Sequence, residues 1–512
     1  MQVVAARKLF STAYLRQYSQ KLVLILLFII GFSVRLYHIN APPMDFHATR
    51  QYRSLLMARS FYYEHASSIP AWKKKVASIN SERQGILEPP VMELLVSAGY
   101  RLLGGEKLWI PRALSALFWM AGGAILYRIG KMLVDENAAR FSTVFYLFLP
   151  FAVTASRSFQ PDPLMILLLL ASVYCSLRYE EQPVWRQLII AAVISGLAIL
   201  IKPVSLFVIY SAFVALVLMR KGIRSLMIDP HLLAFFLISL FPALLFYLYG
   251  IFIGGFLKAQ AESSILPQII LTPFFWRGWL HNIRLVVGFS ALVGSLFGVL
   301  IVRPNRSRYF LLALWIGYML FCLTFAYHIA THDYYHLQLI PIVALSLGPV
   351  FSLVFHRVLE INQKWYERMA VWSLTLIAFI LLTSDVLVNP LDRTLETKVR
   401  QAEIIGERVN HDTNTIFLSS DYGLSLEYHG QLSGLPWPLA SDLEWERLAG
   451  VPVLNAEKRF QTWFVQTSPS YFIVLDLREY AQQTDLKELL TKNYPVLAQS
   501  DDYIIFDLRQ KQ

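Results

Sequence analysis

A long series of apolar runs, each close to the length that crosses a membrane, constrains this chain more than any other feature. A helix of about 20 apolar residues spans about 30 Å of hydrocarbon. Residues are 56% hydrophobic and only 16% charged, whereas soluble domains carry about a quarter charged residues. We predict a mostly α, multi-spanning transmembrane helical bundle of about eleven spans. The runs centre near 22–38, 108–131, 138–157, 162–178, 187–201, 203–219, 232–253, 284–302, 309–328, 334–355 and 369–387.

The basic residues indicate how this bundle is oriented. The net charge is +11, but Lys and Arg fall mostly in short connections between the runs, which is typical of a membrane protein and not of nucleic-acid binding. Alternate connections carry this basic bias, so we predict that they lie on the cytosolic side together with the N-terminus. Eleven spans then place the C-terminal tail outside the cytosol. The sequence therefore predicts a multi-pass membrane protein whose C-terminal domain lies outside the cytosol.

Two segments lack the pattern of a span. We assign 1–388 to a transmembrane domain, within which 39–107 forms a first outer loop with interfacial helices. Short apolar runs alternate with helical patterns in the tail, as at 415–419, 471–475 and 503–507. Such alternation is typical of strands and helices in turn. We therefore predict that 389–512 forms a small extracytosolic α/β domain.

Polar residues at the predicted outer ends of the spans are the candidate site. Ionisable groups near hydrocarbon are costly and often functional, and several loops contribute such groups to the same predicted face. This predicted outer cluster comprises Asp45, His47, Arg50, Glu88, Arg157, Asp162, Lys202, His328, His332, Asp333, Tyr334, Tyr335 and His336.

Each acid in this set has two interpretations. Asp45 follows Pro42-Pro43 and either caps the next helix or serves as a general base, because a partly desolvated carboxylate gains basicity. Asp162 precedes a proline at the start of a span, where a helix cap is a common alternative to a catalytic role.

The roles of the cations and histidines also have more than one interpretation. Lys202 interrupts an apolar run, so it either extends its ammonium to the interface or binds a phosphate, with Arg50, Arg157 and the tyrosines assisting. A set of His47, Glu88 and His332 could hold a divalent metal ion, although their spacing matches no ligand motif.

Four segments and their order resemble a known family. They are Asp45-Phe46-His47-Ala48-Thr49-Arg50-Gln51 with Ala58-Arg59-Ser60-Phe61, then Glu88-Pro89-Pro90, then Ser156–Asp162, then His332-Asp333-Tyr334-Tyr335. The stretch from Gly196 to Pro203, which contains Lys202, fits as well. Together these motifs resemble membrane glycosyltransferases of the GT-C fold, in the bacterial branch of protein O-mannosyltransferases and aminoarabinose lipid A transferases.

The resemblance implies a sugar donor linked to a polyprenyl phosphate or pyrophosphate. It implies transfer to a lipid, glycan or protein acceptor on the outer face, with inversion at the anomeric carbon. It also implies that Asp45 is the base, that Asp162 is a second acidic position and that Lys202 contacts phosphate, in a protein of the bacterial inner (plasma) membrane whose C-terminal domain is periplasmic or extracellular. From the predicted outer cluster we further expect substrate to be bound by Arg50, Glu88, Arg157, His332, Tyr334 and Tyr335. The chain departs from the family at Phe46, where many members have Glu, and at Leu87, where the aminoarabinose branch has Glu-Lys-Pro over 87–89. Both departures argue against that branch's substrate.

The residues are also compatible with two other classes of protein. A transporter or flippase for a lipid-linked or anionic substrate also needs many spans and buried charges, although it often shows inverted repeats. A membrane scaffold whose tail binds a partner needs no such gathering of acids and cations. Turnover of a lipid-linked donor separates the transferase from both.

Overall fold

The computed structural model describes residues 21–224, 229–258, 265–361, 394–448, 450–463 and 465–510. The predicted eleventh span, 369–387, lies outside these residues, as does the predicted boundary at 388. In the described part the helices are, up to residue 250, α1 (21–36), α2 (Ala48–His65), α3 (Ala71–Arg83), α4 (Val91–Leu102), α5 (Trp109–Leu133), α6 (Glu136–Phe148), α7 (Pro150–Ser156), α8 (Asp162–Glu181), α9 (Trp185–Ile201), α10 (Leu206–Lys221) and α11 (Pro230–Leu248). The later ones are α12 (Pro273–Val286), α13 (Phe289–Ile301), α14 (Asn305–Thr324), α15 (Ala326–Thr331), α16 (Leu339–Ile361), α17 (Thr394–Arg408), α18 (Leu424–Gly430), α19 (Ala440–Leu448), α20 (Ala456–Trp463), α21 (Leu477–Gln482) and α22 (Thr484–Asn493).

The described chain divides into two compact units. A membrane unit comprises 1–39, 86–92 and 109–391, and a second unit, here called the loop-tail unit, comprises 40–85, 93–108 and 392–512. This differs from the predicted division, which placed all of 39–107 with the spans. Helices α2 and α3 carry polar groups that pair with the C-terminal part of the loop-tail unit. From α3, Asn80 donates to Leu432 O at 3.0 Å and Arg83 to Ser433 Oγ at 2.8 Å, and from α2, Arg59 donates to Tyr428 O.

Helices long and apolar enough to cross a membrane dominate the membrane unit. Within the described residues there are six of them, and up to eight if two bent pairs each count as one span. The bent pairs are α6 with α7, at 62°, and α12 with α13, at 89°; α9 is a shorter apolar helix. The chain is a multi-pass membrane protein. The predicted runs 138–157 and 284–302 are thus broken or re-entrant helices.

The bend between α6 and α7 has an identifiable cause. Pro150 has no N–H, so the carbonyl of Tyr146 loses its partner in the helix. Trp119 Nε1 donates to that carbonyl at 3.3 Å, and the fully buried Arg35 donates to the next one, Leu147 O, at 2.8 Å. Arg35 also donates to Ser156 Oγ at 2.6 Å, which ties α1 to the end of α7.

The C-terminal part of the loop-tail unit is built on one five-stranded sheet. Its strands are β1 (Thr415–Leu418), β2 (Gly434–Pro436), β3 (Tyr471–Val474), β4 (Val496–Gln499) and β5 (Ile504–Asp507). Their order is β2-β1-β3-β5-β4, with β1 parallel to β2 and β3, and with β5 antiparallel to β3 and β4.

Side chains of the central strands are buried alternately on the two faces of the sheet. Ile416, Leu418 and Phe472 join one apolar cluster, and Phe417 and Ile473 join the other. Strands β1, β3 and β5 lie inside the sheet, and a strand that is covered on both faces reads as a continuous apolar run, which is why these three were predictable. Strands β2 and β4 lie at the two edges and were not predicted. The predicted fold class, mostly α with a small C-terminal α/β domain, is confirmed.

Candidate functional site in the membrane unit

A buried ion pair is the centre of the candidate site. Helix α9 ends at Ile201, and Lys202 takes an extended conformation, φ −155° and ψ 113°, because a following proline disfavours helix. Its Nζ donates to both carboxylate oxygens of Asp162, at 2.8 and 2.9 Å. The side chains of Lys202 and Asp162 are only 5% and 1% exposed.

This pair disagrees with both of the simpler interpretations of these residues. Lys202 does not extend to an aqueous surface, since it is buried against a carboxylate. Asp162 makes no side-chain cap bond to α8, whose N-cap residue is Pro161. Apolar residues of similar volume often stabilise a fold as well as a buried ion pair does. Stability therefore gives no reason to prefer the charges at this position.

Two tyrosines cover the ammonium of this pair. The 3-10 helix Asp333–Gln338 presents Tyr334 and Tyr335 in succession. Each ring centroid lies 5.0 Å from Lys202 Nζ, within the range of a cation–π interaction. The two rings are 5.0 Å apart. The structure thus joins residues 162, 202, 334 and 335, which lie far apart in the sequence.

The neighbouring histidines divide into two kinds. His328 stacks on Tyr335 at 4.9 Å, and His332 packs edge-on to Tyr334 at 5.5 Å. His336 is instead fully buried, with its Nε2 2.9 Å from Ile329 O and its Nδ1 2.6 Å from the Tyr318 hydroxyl. A carbonyl only accepts, so Nε2 carries the proton and Nδ1 accepts from Tyr318. His336 is thus a core residue with both ring nitrogens hydrogen-bonded, and its predicted place in the outer cluster stays a prediction.

Arg157 and Glu88 have other surroundings. Arg157 is buried and donates to the carbonyls of Tyr37 and His38, at 2.8 and 3.4 Å, just beyond α1. Glu88 is partly buried and acts electrostatically on Tyr247, whose hydroxyl donates to Leu200 O at 3.3 Å. Their predicted contacts with substrate stay predictions.

An apolar groove lies in the membrane unit, and one of its lining residues, Leu200, is two residues before Lys202 in the sequence. It has a volume of about 750 Å³ and is lined by Pro89, Leu200, Pro242, Leu244, Leu245, Phe246, Leu248, Tyr249, Phe252 and Ile253. Pro242 lies inside α11 and removes a helix hydrogen bond there. The wall is almost entirely hydrocarbon and aromatic, so the groove suits an isoprenoid or acyl chain.

In the loop-tail unit, one glutamine organises the loop that carries Asp45. Gln51 is fully buried, and its Nε2 donates to Phe46 O at 2.7 Å, to Pro43 O at 3.2 Å and to Asp45 Oδ1 at 3.4 Å. The N-cap residue of α2 is His47, in the left-handed region with φ 43° and no side-chain cap bond. Asp45 is therefore not the cap of this helix. Strained residues of this kind are frequent at functional sites. Arg50 follows in the first turn of α2 and is half-buried.

Sequence reasoning missed a second buried network in this unit. Arg59 pairs with Glu106 at 3.0 Å, donates to Tyr428 O and lies 3.7 Å from the Tyr428 ring centroid. Burial by itself would lower the pKa of Arg59, but the negative charge of Glu106 and the nearby tyrosines together have the larger effect and hold that pKa above its usual value. Burial, with Arg59 nearby, lowers the pKa of His429 to about 3. In the sequence, only the motif Ala58–Phe61, which contains Arg59, pointed to this network. The network connects α2 with α18.

The predicted metal set does not form a recognisable centre. Across the residues that the structure describes, no group of three or more His, Cys, Asp or Glu side chains could hold a metal ion. The set of His47, Glu88 and His332 is therefore not carried further.

Comparisons with known proteins agree with this architecture. Residues 87–247 match the family described as dolichyl-phosphate-mannose-protein mannosyltransferase. A putative mannosyltransferase of Bacillus subtilis (strain 168), YycA, is 30% identical over 155 residues, which cover 28% of this chain and 22% of that protein. The matched segment thus spans less than a quarter of the curated relative.

Solved structures resemble this chain over nearly its whole length. ArnT from Cupriavidus metallidurans, bound to undecaprenyl phosphate, aligns with a TM-score of 0.60 at 13% identity, covering 95% of this chain and 97% of that one. The Archaeoglobus fulgidus oligosaccharyltransferase AglB, in complex with an inhibitory peptide and a dolichol-phosphate, aligns with a TM-score of 0.54 at 13% identity, covering 94% and 73%. At this identity the likeness establishes the fold. The predicted resemblance to membrane proteins of the GT-C fold is confirmed.

Proposed function

We propose that this chain is an integral membrane glycosyltransferase. It moves a sugar from a polyprenyl-phosphate-linked donor to a lipid, glycan or protein acceptor. The observation that carries the proposal is the buried pair of Lys202 and Asp162 beneath Tyr334 and Tyr335, in the same unit as an apolar groove that Leu200 lines. The partial match to mannosyltransferases and the GT-C fold support the same reaction class.

The donor phosphate is assigned to Lys202. Its ammonium is held away from water, where a charge acts much more strongly on a bound anion than it does in solvent. Both Asp162 oxygens fix its position, so no reorganisation is needed when charge develops on the leaving phosphate. Tyr334 and Tyr335 lie against the same ammonium, and a tyrosine hydroxyl is a hydrogen-bond donor that a phosphate oxygen accepts. Asp162 is in this assignment a positioning residue for Lys202.

The polyprenyl chain is assigned to the apolar groove. Leu200 lines the groove and is two residues from Lys202 in the sequence. In this proposal a donor whose phosphate lies at Lys202 extends its lipid tail into the groove. Each buried methylene contributes about 0.8 kcal/mol. The groove therefore supplies binding energy that is the same in the ground state and in the transition state.

Asp45 is assigned as the base. The acceptor oxygen or nitrogen attacks the anomeric carbon from the side opposite the phosphate, its proton passes to the Asp45 carboxylate, and the bond from that carbon to the phosphate oxygen breaks. The phosphate leaves with the bonding electron pair and is stabilised by Lys202. A single displacement of this kind inverts the anomeric centre. Gln51 supports the assignment because it holds the loop from Pro43 to Phe46.

The orientation is proposed from loop charge. Connections rich in Lys and Arg face the cytosol, which places the loop-tail unit in the periplasm or extracellular space of a bacterial inner membrane. Transfer then takes place on the outer face.

Transfer in proteoliposomes tests the function. The purified chain is supplied with polyprenyl-phosphate donors that carry radiolabelled sugar, together with a bacterial membrane extract as acceptor. We expect acceptor-dependent release of polyprenyl phosphate by the wild-type chain and its loss in the double variant Lys202→Met, Asp162→Leu, which removes both buried charges together. Movement of intact donor across the bilayer without cleavage would instead support the transporter or flippase.

A further inference from the structure

The sheet of the loop-tail unit contains a point where its topology reverses. After β1 the chain crosses over to β2 on one side, and then returns to place β3 on the other side of β1, with all three strands parallel. In open α/β sheets, ligands bind in the crevice outside the carboxyl ends of the strands at such a point. The crevice between β1 and β3 is therefore the position at which this sheet is expected to bind a ligand.

A cavity of about 700 Å³ occupies this position. Ser419, Ser420 and Asp421 line it directly after β1, and Asp476 and Arg478 line it directly after β3. The volume falls within the range of about 300–1,000 Å³ typical of small-molecule sites. The cavity is distinct from the ion pair and the groove, which belong to the membrane unit.

Two further elements close the cavity. Helix α17 contributes Lys398 and Gln401, and the turn between β4 and β5 contributes Asp501 and Asp502. Gln401 Nε2 donates to Asp502 Oδ2, which joins these two walls. The carboxyl ends of two strands, one helix and one turn thus converge on a single space.

The two carboxylates at the strand ends are held in place by their own loops. Asp421 accepts from the amides of Gly423 and Ser425, at 3.1 and 2.9 Å, and from Ser419 Oγ at 2.5 Å. Asp476 accepts from the amides of Arg478 and Glu479, at 3.1 and 3.0 Å. Each carboxylate has about four acceptor positions. Acceptor capacity therefore remains on two groups whose orientation is already fixed.

The polar groups of the wall favour a polyhydroxylated ligand. Four carboxylates, at 421, 476, 501 and 502, outnumber two cations, at 398 and 478, which disfavours a phosphate or another anion. Among the described residues no cluster suits a metal ion. Carboxylates and an amide oxygen accept from sugar hydroxyls, and a serine hydroxyl such as that of Ser420 both donates and accepts.

The location of the cavity connects it with the proposed reaction. Met44 and Ala48 also line it, and they flank the candidate base, Asp45, in the sequence. We propose that this cavity binds a saccharide group of the acceptor, neutral or amine-bearing, and so presents a glycan or glycolipid to the loop of Asp45. The role as an acceptor site rests on the proposed transferase function, but sugar binding to the cavity can be measured without any transfer.

Saturation-transfer NMR on the full chain in lipid nanodiscs, free of glycoside detergents, is the test. The probes are D-mannose, D-glucosamine and D-mannose 6-phosphate. Ser420→Trp fills the cavity from an exposed position, and Asp501→Asn with Asp502→Asn removes two exposed carboxylates. The matched control is Glu457→Gln with Glu488→Gln, which neutralises two exposed acids outside the cavity.

We expect mannose or glucosamine to receive saturation from the wild-type chain and from the control, and neither to do so in Ser420→Trp. The Asp501 and Asp502 variant should bind about tenfold more weakly, as expected for the loss of one charge-assisted hydrogen bond. Equal signals in wild type and Ser420→Trp, or tighter binding of mannose 6-phosphate than of mannose, would overturn the proposal. A chain that binds sugar yet releases no polyprenyl phosphate overturns the transferase function alone. A chain whose acceptor KM is unchanged in Ser420→Trp overturns the cavity alone.

Discussion

Lys202 and Asp162 form a two-point ion pair across 40 residues of sequence, and both side chains are almost completely buried. Each charge is compensated by the other, so removing one partner leaves the second buried and unpaired. The pair therefore makes separate predictions for stability and for activity.

Replacing Lys202 alone should destabilise the membrane unit. Lys202→Met leaves the Asp162 carboxylate without its counter-charge, at a cost of about 3–5 kcal/mol. The double variant Lys202→Met, Asp162→Leu removes both charges and should regain most of that stability. Thermal unfolding in detergent measures both variants. If the pair binds donor as proposed, the double variant is folded but inactive; a folded and active double variant contradicts the assignment.

The base assignment predicts a loss of turnover without a loss of folding. Asp45→Asn keeps the shape of the side chain and its capacity to accept from Gln51, but it removes basicity. Turnover should fall about 10²–10⁴-fold, as is typical of positioned acid–base groups, while binding of the lipid donor is retained. Glu64→Gln, an exposed acid at the other end of α2, is the control and should keep normal turnover. Near-normal transfer by purified Asp45→Asn would exclude this role.

Gln51 should act on turnover through the Asp45 loop. Gln51→Met preserves volume but removes the donor that serves Phe46 O, Pro43 O and Asp45. We expect kcat to fall while KM for the lipid donor stays unchanged, because donor contacts are assigned to the membrane unit. Gln51→Glu, whose carboxylate accepts but cannot donate, should resemble Gln51→Met; recovery of kcat in Gln51→Glu would show that side-chain shape is what matters.

The buried side chain of Glu427 should make the loop-tail unit lose stability as pH rises from about 4.3 to about 8. Burial raises the pKa of Glu427 to about 8, against weaker opposing effects of the Gly434 amide and of Arg83. The folded state then holds a proton that the unfolded chain releases near its ordinary pKa of about 4.3. The protonated Glu427 side chain therefore stabilises the folded state fully below the unfolded pKa, and this stabilisation is lost progressively as pH rises to about 8.

Glu427→Gln should remove that dependence. The midpoint difference between wild type and variant, followed by thermal unfolding from pH 5 to pH 9, isolates Glu427, because the opposite contribution of His429 is common to both proteins. We expect the unfolding midpoint of the variant to rise relative to that of the wild type as pH increases, and the difference to become constant above about pH 8. A constant difference would place the ionised carboxylate in the folded state.

Gly298 should tolerate no side chain. A Cβ at this position would overlap with Ser346 O on α16, a close helix approach of the kind that small residues permit in membranes. Gly298→Ala should cost about 1–3 kcal/mol through overpacking, measured as a lower unfolding midpoint. Gly105→Ala, where a Cβ meets open space, should leave the midpoint unchanged. Equal midpoints for both variants would show that α13 moves away freely.

Much of the local structure was predictable because it depends on neighbours in the sequence. Apolar runs predicted most of the described spans, and Pro203 predicted the break after Ile201. The apolar strands β1, β3 and β5 and the helix at 485–492 appear where expected, within a residue or two. The edge strands β2 and β4 were missed, because an edge strand needs no continuous apolar run.

Only the tertiary structure decided which residues work together. A period or a motif specifies one face of one element, and it carries no information on which distant element packs there. The sequence alone thus determined a membrane-spanning helical chain, an α/β tail and a set of candidate polar residues. Folding determined that Asp162 pairs with Lys202 and does not cap α8, that His336 is a core residue bound to Tyr318, and that α2 and α3 pack with the tail. Buried polar groups must find partners, and those partners lie tens to hundreds of residues away along the chain.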